Sequence, residues 1–344
     1  MGSRVEERKS APEASSRRAA ERGATVIWSD RFRLAALSPA EWTGVFWASV
    51  IVVFLFVLFH FLGNTVEDVN SRSAFYWTVA RWSDKVSFGG ADYSHGWLIP
   101  IVSLIVVWHR RKEILAAPRA VCSAGLAVII VALMMHWLGA KMQQTRLSLL
   151  ALILLLWGFP LYFFGWQVAR QLIFPAAYLV FAIPLNFLDI VSFRLRYLSS
   201  ALAADLLNGL GVAVRRDGVR LFAASGFKFE IADPCSGLRS LLAMTALTAV
   251  YAYFTQRTLW RKWALFMCSI PLAVAGNIAR IVTVGLVAEA FGERVATGLY
   301  HDWSGYIVFT VAILLMVGVG SLLNLDYPSL WRRWKAQWMT PHAA

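Results

Sequence analysis

The stretch LSLLALILLLWGFPLYFFG, residues 147–165, contains no charged side chain, and Ser148 is its one strongly polar residue. In a helix rising 1.5 Å per residue its 19 residues reach about 28 Å, close to the roughly 30 Å hydrocarbon core of a bilayer. A helix of a soluble domain would show a polar face, and this one has none. Working outward, seven more segments read as spans, at about 43–63, 93–109, 121–139, 172–189, 237–255, 263–289 and 304–324. The second is the weakest, with a continuous apolar core from Trp97 to Trp108 only. The expected fold is all-α: a polytopic integral membrane protein of about eight transmembrane helices. A ninth candidate, 198–214, carries Asp205 and Asn208 and reads instead as a short amphipathic or re-entrant helix at the surface.

Composition agrees with that class. Charged residues are 15% of the chain against about 25% in soluble domains, and hydrophobic residues are 58%. The 48 aromatic residues (16 Trp, 10 Tyr, 22 Phe) exclude a disordered chain. A net charge of +13 in a soluble protein would raise the question of nucleic acid. Here the basic residues lie between apolar runs, so the positive-inside bias explains them and no nucleic-acid partner is expected. Three scattered cysteines, Cys122, Cys235 and Cys268, form neither a disulfide framework nor a zinc cage. The six histidines are dispersed too, so neither metal nor cofactor is expected.

Residues 1–42, polar and mixed in charge, read as a disordered cytoplasmic tail without a cleaved signal peptide, 43–324 as the transmembrane domain and 325–344 as a second cytoplasmic tail. With the N-terminus inside, the cytoplasmic segments hold 19 Lys and Arg and the opposite segments 12, six of them in the long loop 190–236. The charge rule therefore favours cytoplasmic termini. Within that loop Val219, Leu221, Phe227, Phe229 and Ile231 alternate with polar or small residues around a turn at Ala223–Gly226, which predicts a small extracytoplasmic β-hairpin ending at Asp233-Pro234-Cys235.

Ionisable groups in or beside spans are expensive and point to function. Cys235 precedes the sixth span, where a helix N-terminus and Arg239 one turn later favour its thiolate while Asp233 opposes it. Arg280 lies 17 residues beyond Trp263, about 26 Å into the seventh span and so near its outer boundary, with Asn277 one turn before it. A snorkelling anchor or a structural partner for Asn277 would also explain this arginine. His301, between Tyr300 and Asp302-Trp303, begins the eighth span and reads either as an acid/base or as part of an interfacial belt. All three reach one face at similar depth. A thiol, an imidazole and a guanidinium are what acyl transfer needs as nucleophile, acid/base and oxyanion partner. His95, in Tyr93-Ser94-His95-Gly96, is the rival base on that face.

These residues resemble the exosortase/archaeosortase family of membrane cysteine transpeptidases. The resemblance covers about residues 43–324 and rests on Pro234-Cys235-Ser236-Gly237-Leu238-Arg239-Ser240-Leu241, on Asn277-Ile278-Ala279-Arg280-Ile281, on His301, and on Tyr93-Ser94-His95-Gly96 leading to His109-Arg110-Arg111. It implies a catalytic Cys235, Arg280 and His301, the histidine matching the bacterial branch, whereas the archaeal branch has an arginine there. It implies an inner-membrane enzyme without cofactor. The implied partners are exported proteins with a C-terminal tripartite signal of short motif (Pro-Glu-Pro in the commonest systems), transmembrane helix and basic end. Their cleavage through a thioester would be followed by transfer to an acceptor. Arg239, Asn277 and His95 are assigned to substrate binding, Arg239 as a grip on an acidic residue unless it pairs with Asp233 or lipid phosphate. The alternatives are a non-enzymatic transporter or lipid-binding scaffold with an anion site at Arg280, and a thiol acyltransferase acting on lipid.

Overall fold

The computed structural model describes residues 39–63, 72–83, 93–184, 187–224, 226, 228–230, 238–325 and 331. The chain divides into two compact units, residues 1–58 and 59–344. In the first, helix α1 (Pro39–Phe61) runs to and past the boundary and exposes Trp42, Phe46, Val52 and Phe54. Large apolar side chains displayed in this way suit lipid, not water.

The second unit carries, in order, α2 (Ala74–Ser83), a 3₁₀ turn (Ser94–Trp97), α3 (Leu98–His109), α4 (Arg111–Ala116), α5 (Ser123–Lys141), α6 (Thr145–Phe164) and α7 (Trp166–Tyr178). A 3₁₀ turn (Leu179–Ala182) and α8 (Phe187–Gly209) follow, then β1 (Val214–Asp217), β2 (Arg220–Ala223) and β3 (Lys228–Glu230). Helices α9 (Leu238–Thr255), α10 (Leu259–Phe291), α11 (Glu293–Thr297) and α12 (Leu299–Asn324) complete it. Among the described residues five helices are long and apolar enough to cross a membrane: Trp42–Phe61, Ser123–Lys141, Thr145–Phe164, Leu259–Phe291 and Trp303–Asn324. They fall on the first, third, fourth, seventh and eighth expected spans. At the second and sixth, Ser94–His109 and Leu241–Thr255 are apolar but shorter.

The fifth expected span, 172–189, is not one helix. Ile183 is extended (φ −90°, ψ 121°), and the cause is Pro184, whose ring disfavours helical geometry in the residue before it. The helix expected at 198–214 has other bounds. The helix starts at Phe187, ends at Gly209 and buries Ser199, Ser200, Ala203, Ala204 and Leu207, a stripe at helical spacing. Ala203, Ala204 and Leu207 pack with Ile281, Val282, Val284 and Ala288 of α10 in one core cluster. A Cβ on Gly285 would stand 2.9 Å from Leu207 Cδ1, so glycine is what lets the two helices approach.

The expected hairpin is present as β2 and β3, antiparallel with Leu221 opposite Phe229, and Gly226 N–H donates to Ala223 O across their turn. The sheet has a third strand, β1, joined to β2 with Asp217 opposite Arg220 and a two-residue loop. Gly218 in that loop has φ 61°, a conformation glycine adopts without strain.

Helices α5 and α6 pack closely. Gly125, Ile129, Ala132, His136 and Gly139 make the buried seam of α5, at alternating steps of four and three. A Cβ on Gly125 would meet Tyr162 N at 2.3 Å, which shows how tightly the two backbones approach through small residues.

Candidate active site

Helices α9, α10 and α12 build the site. Met244, Ala252, Leu265, Ala273, Ala312 and Met316 are buried in one cluster among them, and Thr248 Oγ1 donates to Met316 Sδ at 2.9 Å. Helices α9 and α10 run antiparallel. Tyr253 near the end of α9 meets Lys262 near the start of α10, whereas Met244, nine residues earlier, shares a cavity with Asn277 and Arg280. The first turns of α9 and α12 therefore lie toward the Arg280 end of this bundle.

That cavity, about 40 Å³, is lined by Met244, Gly276, Asn277, Arg280, Gly305 and Phe309 among others. Such a volume holds a water or two but no peptide. Asn277 and Arg280 both reach it because three residues along a helix return to the same face. Asn277 is buried, and its Nδ2 donates to Ser199 Oγ of α8 at 3.5 Å. Arg280 is partly buried, and its Nε donates to the buried Ser304 Oγ at 3.3 Å. Its Nη2 lies 3.4 Å from where a Cβ on Gly305 would stand, so the guanidinium rests against the glycine backbone of α12. Gly276 performs the same service from α10, its missing Cβ lying 3.1 Å from Val308 Cγ1.

His301 is in the first turn of α12, three and four positions before Ser304 and Gly305, the spacing of residues that share a helix face. Its side chain is outside what the structure describes, as is that of Arg239, second residue of α9. Cys235 lies outside the described residues, three positions before Leu238 opens α9.

His95 sits in the 3₁₀ turn ahead of α3, partly buried, with both ring nitrogens shielded and its ring 5.7 Å from Tyr93. Tyr93 belongs to the cluster that contains Leu241, Leu242 and Met244, so this turn packs on the early turns of α9. Gly96 is required there because a Cβ would stand 2.2 Å from Trp82 Nε1, which donates to Ala182 O at 2.8 Å. The structure thus places Arg280 and Asn277 on one cavity and brings the His95 turn to α9. Ser199, Gly276, Ser304 and Gly305 escape sequence reasoning as site residues. Ser304-Gly305 directly follows the His301 stretch, and Gly276 directly precedes Asn277, so the signal lay in adjacent small residues.

A family model described as transmembrane exosortase (Exosortase_EpsH) matches residues 82–318, more than half of the chain. No curated protein matches. No solved structure matches either.

Proposed function

The chain belongs to the transmembrane exosortase family, and from that premise we propose that it is a membrane cysteine transpeptidase. It cleaves C-terminal sorting signals of exported proteins at the extracytoplasmic face of the inner membrane. The observation that supports this best is the Arg280 cavity, with a guanidinium held by Ser304 and Gly305 at the end of the bundle where α9 and α12 begin. Three residues span at most about 11 Å, so Cys235 is tethered close to the first turn of α9. His301 is in the first turn of α12.

In the proposed reaction the Cys235 thiolate attacks the carbonyl carbon of the scissile peptide. Charge on the carbonyl oxygen grows as the tetrahedral centre forms, and Arg280 stabilises it. Collapse breaks the C–N bond, His301 gives its proton to the departing amine, and a thioester on Cys235 remains. An acceptor amine attacks the thioester, loses its proton to His301 and returns the thiolate. The substrate's transmembrane helix stays in the bilayer, so the reaction belongs at the membrane boundary.

The test is substrate size in cells that carry a tagged sorting-signal protein. Wild type shortens it. Cys235→Ser leaves it full length, because a serine hydroxyl does not form an anion readily, while Cys122→Ser and Cys268→Ser process normally. Normal processing by well-folded Cys235→Ser would overturn the assignment.

A further inference from the structure

At the opposite end of the α9 and α10 pair, away from Arg280, cations from two separate elements converge on one ring. Tyr253 of α9 is fixed by stacking on Phe174 of α7, with centroids 3.9 Å apart and planes at 9°. Arg110, between α3 and α4, places its Cζ 5.3 Å from the Tyr253 centroid, and Lys262 of α10 places its Nζ 4.7 Å from it. Arg110 Nη1 also donates to Gln171 Oε1 of α7 at 3.1 Å. Four elements thus contribute to one polar cluster.

Its charge is unbalanced. Residues 110–120 and 256–262 hold seven Lys and Arg and one acid, Glu113. Glu113 is exposed and pairs with Arg110. Among the described residues no carboxylate pairs with Lys262. Burial works against the Arg110 charge, but Glu113 and Tyr253 outweigh it and hold the guanidinium above its ordinary pKa, so it stays charged. Two like charges drawn to one ring repel, and the nearby start of α10 adds to the imbalance. Its first turn has no acidic residue, and Thr258 makes no side-chain cap, although a helix N-terminus favours negative charge. An anion at the ring would complement every one of these groups.

The surroundings indicate which anion. Trp108, Trp260 and Trp263 are exposed around the cluster. Arg111 lies 4.3 Å over Trp108 and Arg261 lies 5.8 Å over Trp260. Exposed tryptophans interleaved with arginines mark the headgroup level of a bilayer.

We propose that Arg110, Lys262, Gln171 and Tyr253 form a binding site for the phosphate of an anionic phospholipid. The two cations flank the phosphate, with the guanidinium able to grip two of its oxygens. The acyl chains then run along the apolar surfaces of the neighbouring helices.

The full chain, purified in detergent and in nanodiscs, tests this. Retained lipid is measured by native mass spectrometry, and the melting temperature is followed on adding phosphatidylglycerol, phosphatidylcholine or inorganic phosphate. Wild type is expected to retain phosphatidylglycerol preferentially and to gain stability from it alone. The double variant Arg110→Gln/Lys262→Gln should lose about 30-fold of that preference, the fold-change that corresponds to about 2 kcal/mol for two interfacial charges. Lys262→Met alone, which leaves the Arg110 contacts to Glu113 and Gln171 in place, should lose part of it. That single variant keeps the test decisive if the double variant folds poorly. Equal retention of both lipids by wild type, or an unchanged preference in well-folded variants, would overturn the site. Equal stabilisation by inorganic phosphate would overturn its assignment to lipid.

Discussion

Arg280 donates from Nε to Ser304 and lies against the bare backbone at Gly305, an arrangement that uses the planar shape of a guanidinium as much as its charge. A lysine at this position keeps the charge and loses the fork. Arg280→Lys and Arg280→Ala are therefore both expected to reduce substrate processing by about 10²-fold or more, with folded protein present in either case. The measurement is turnover per folded molecule in membranes, and full activity of the Lys variant would return the residue to the role of snorkelling anchor. Arg280 was legible because an arginine in an apolar run stands out, and Asn277 because it lies one turn away. Ser199 and Ser304 were not. A serine in a span shows nothing in sequence until the neighbouring helix that carries its partner is known.

Among the elements, α6 is the most legible and α8 the least. An unbroken apolar run has one stable disposition in a bilayer, whereas α8 mixes Asp205 and Asn208 with a small-residue stripe and so reads as a surface helix. Asn208 turns out to lock the sheet: its Nδ2 donates to Val214 O at 3.0 Å, and its Oδ1 accepts from Val214 N at 2.9 Å. The third strand had a signal in Gly218-Val219, a glycine at the first position of a two-residue loop being one of the favoured hairpin connections. Docking of α8 on α10 depends on Gly285. Gly285→Val adds three carbons against Leu207 and is expected to destabilise the fold by about 1–3 kcal/mol, read as a lower melting temperature in detergent. Gly285→Ala should have a smaller effect, because the flexible end of Leu207 can shift by a few tenths of an ångström. Wild-type melting of the Val variant would mean that the two helices do not depend on this contact.

For the whole molecule, the cysteines report orientation. The topology expected from the charges, eight spans with cytoplasmic termini, would put Cys235 outside and Cys122, at the start of α5, inside. Cys122 is a partly buried free thiol. A membrane-impermeant thiol reagent applied to intact cells should label Cys235 but not Cys122, which should react only after permeabilisation; mass shifts of single-cysteine variants read the result. Labelling of Cys122 from outside would invert the topology. The sequence by itself determined that the chain is a helical membrane protein and where its long spans run, because transfer into lipid depends on each segment's own side chains. Only the tertiary structure decided that α8 docks on α10, that Arg280 and Asn277 share a cavity with Gly305, and that Arg110 and Lys262 meet at the Tyr253 ring. Those outcomes rest on how closely segments distant in the chain approach one another, which packing between helices sets and no single segment contains.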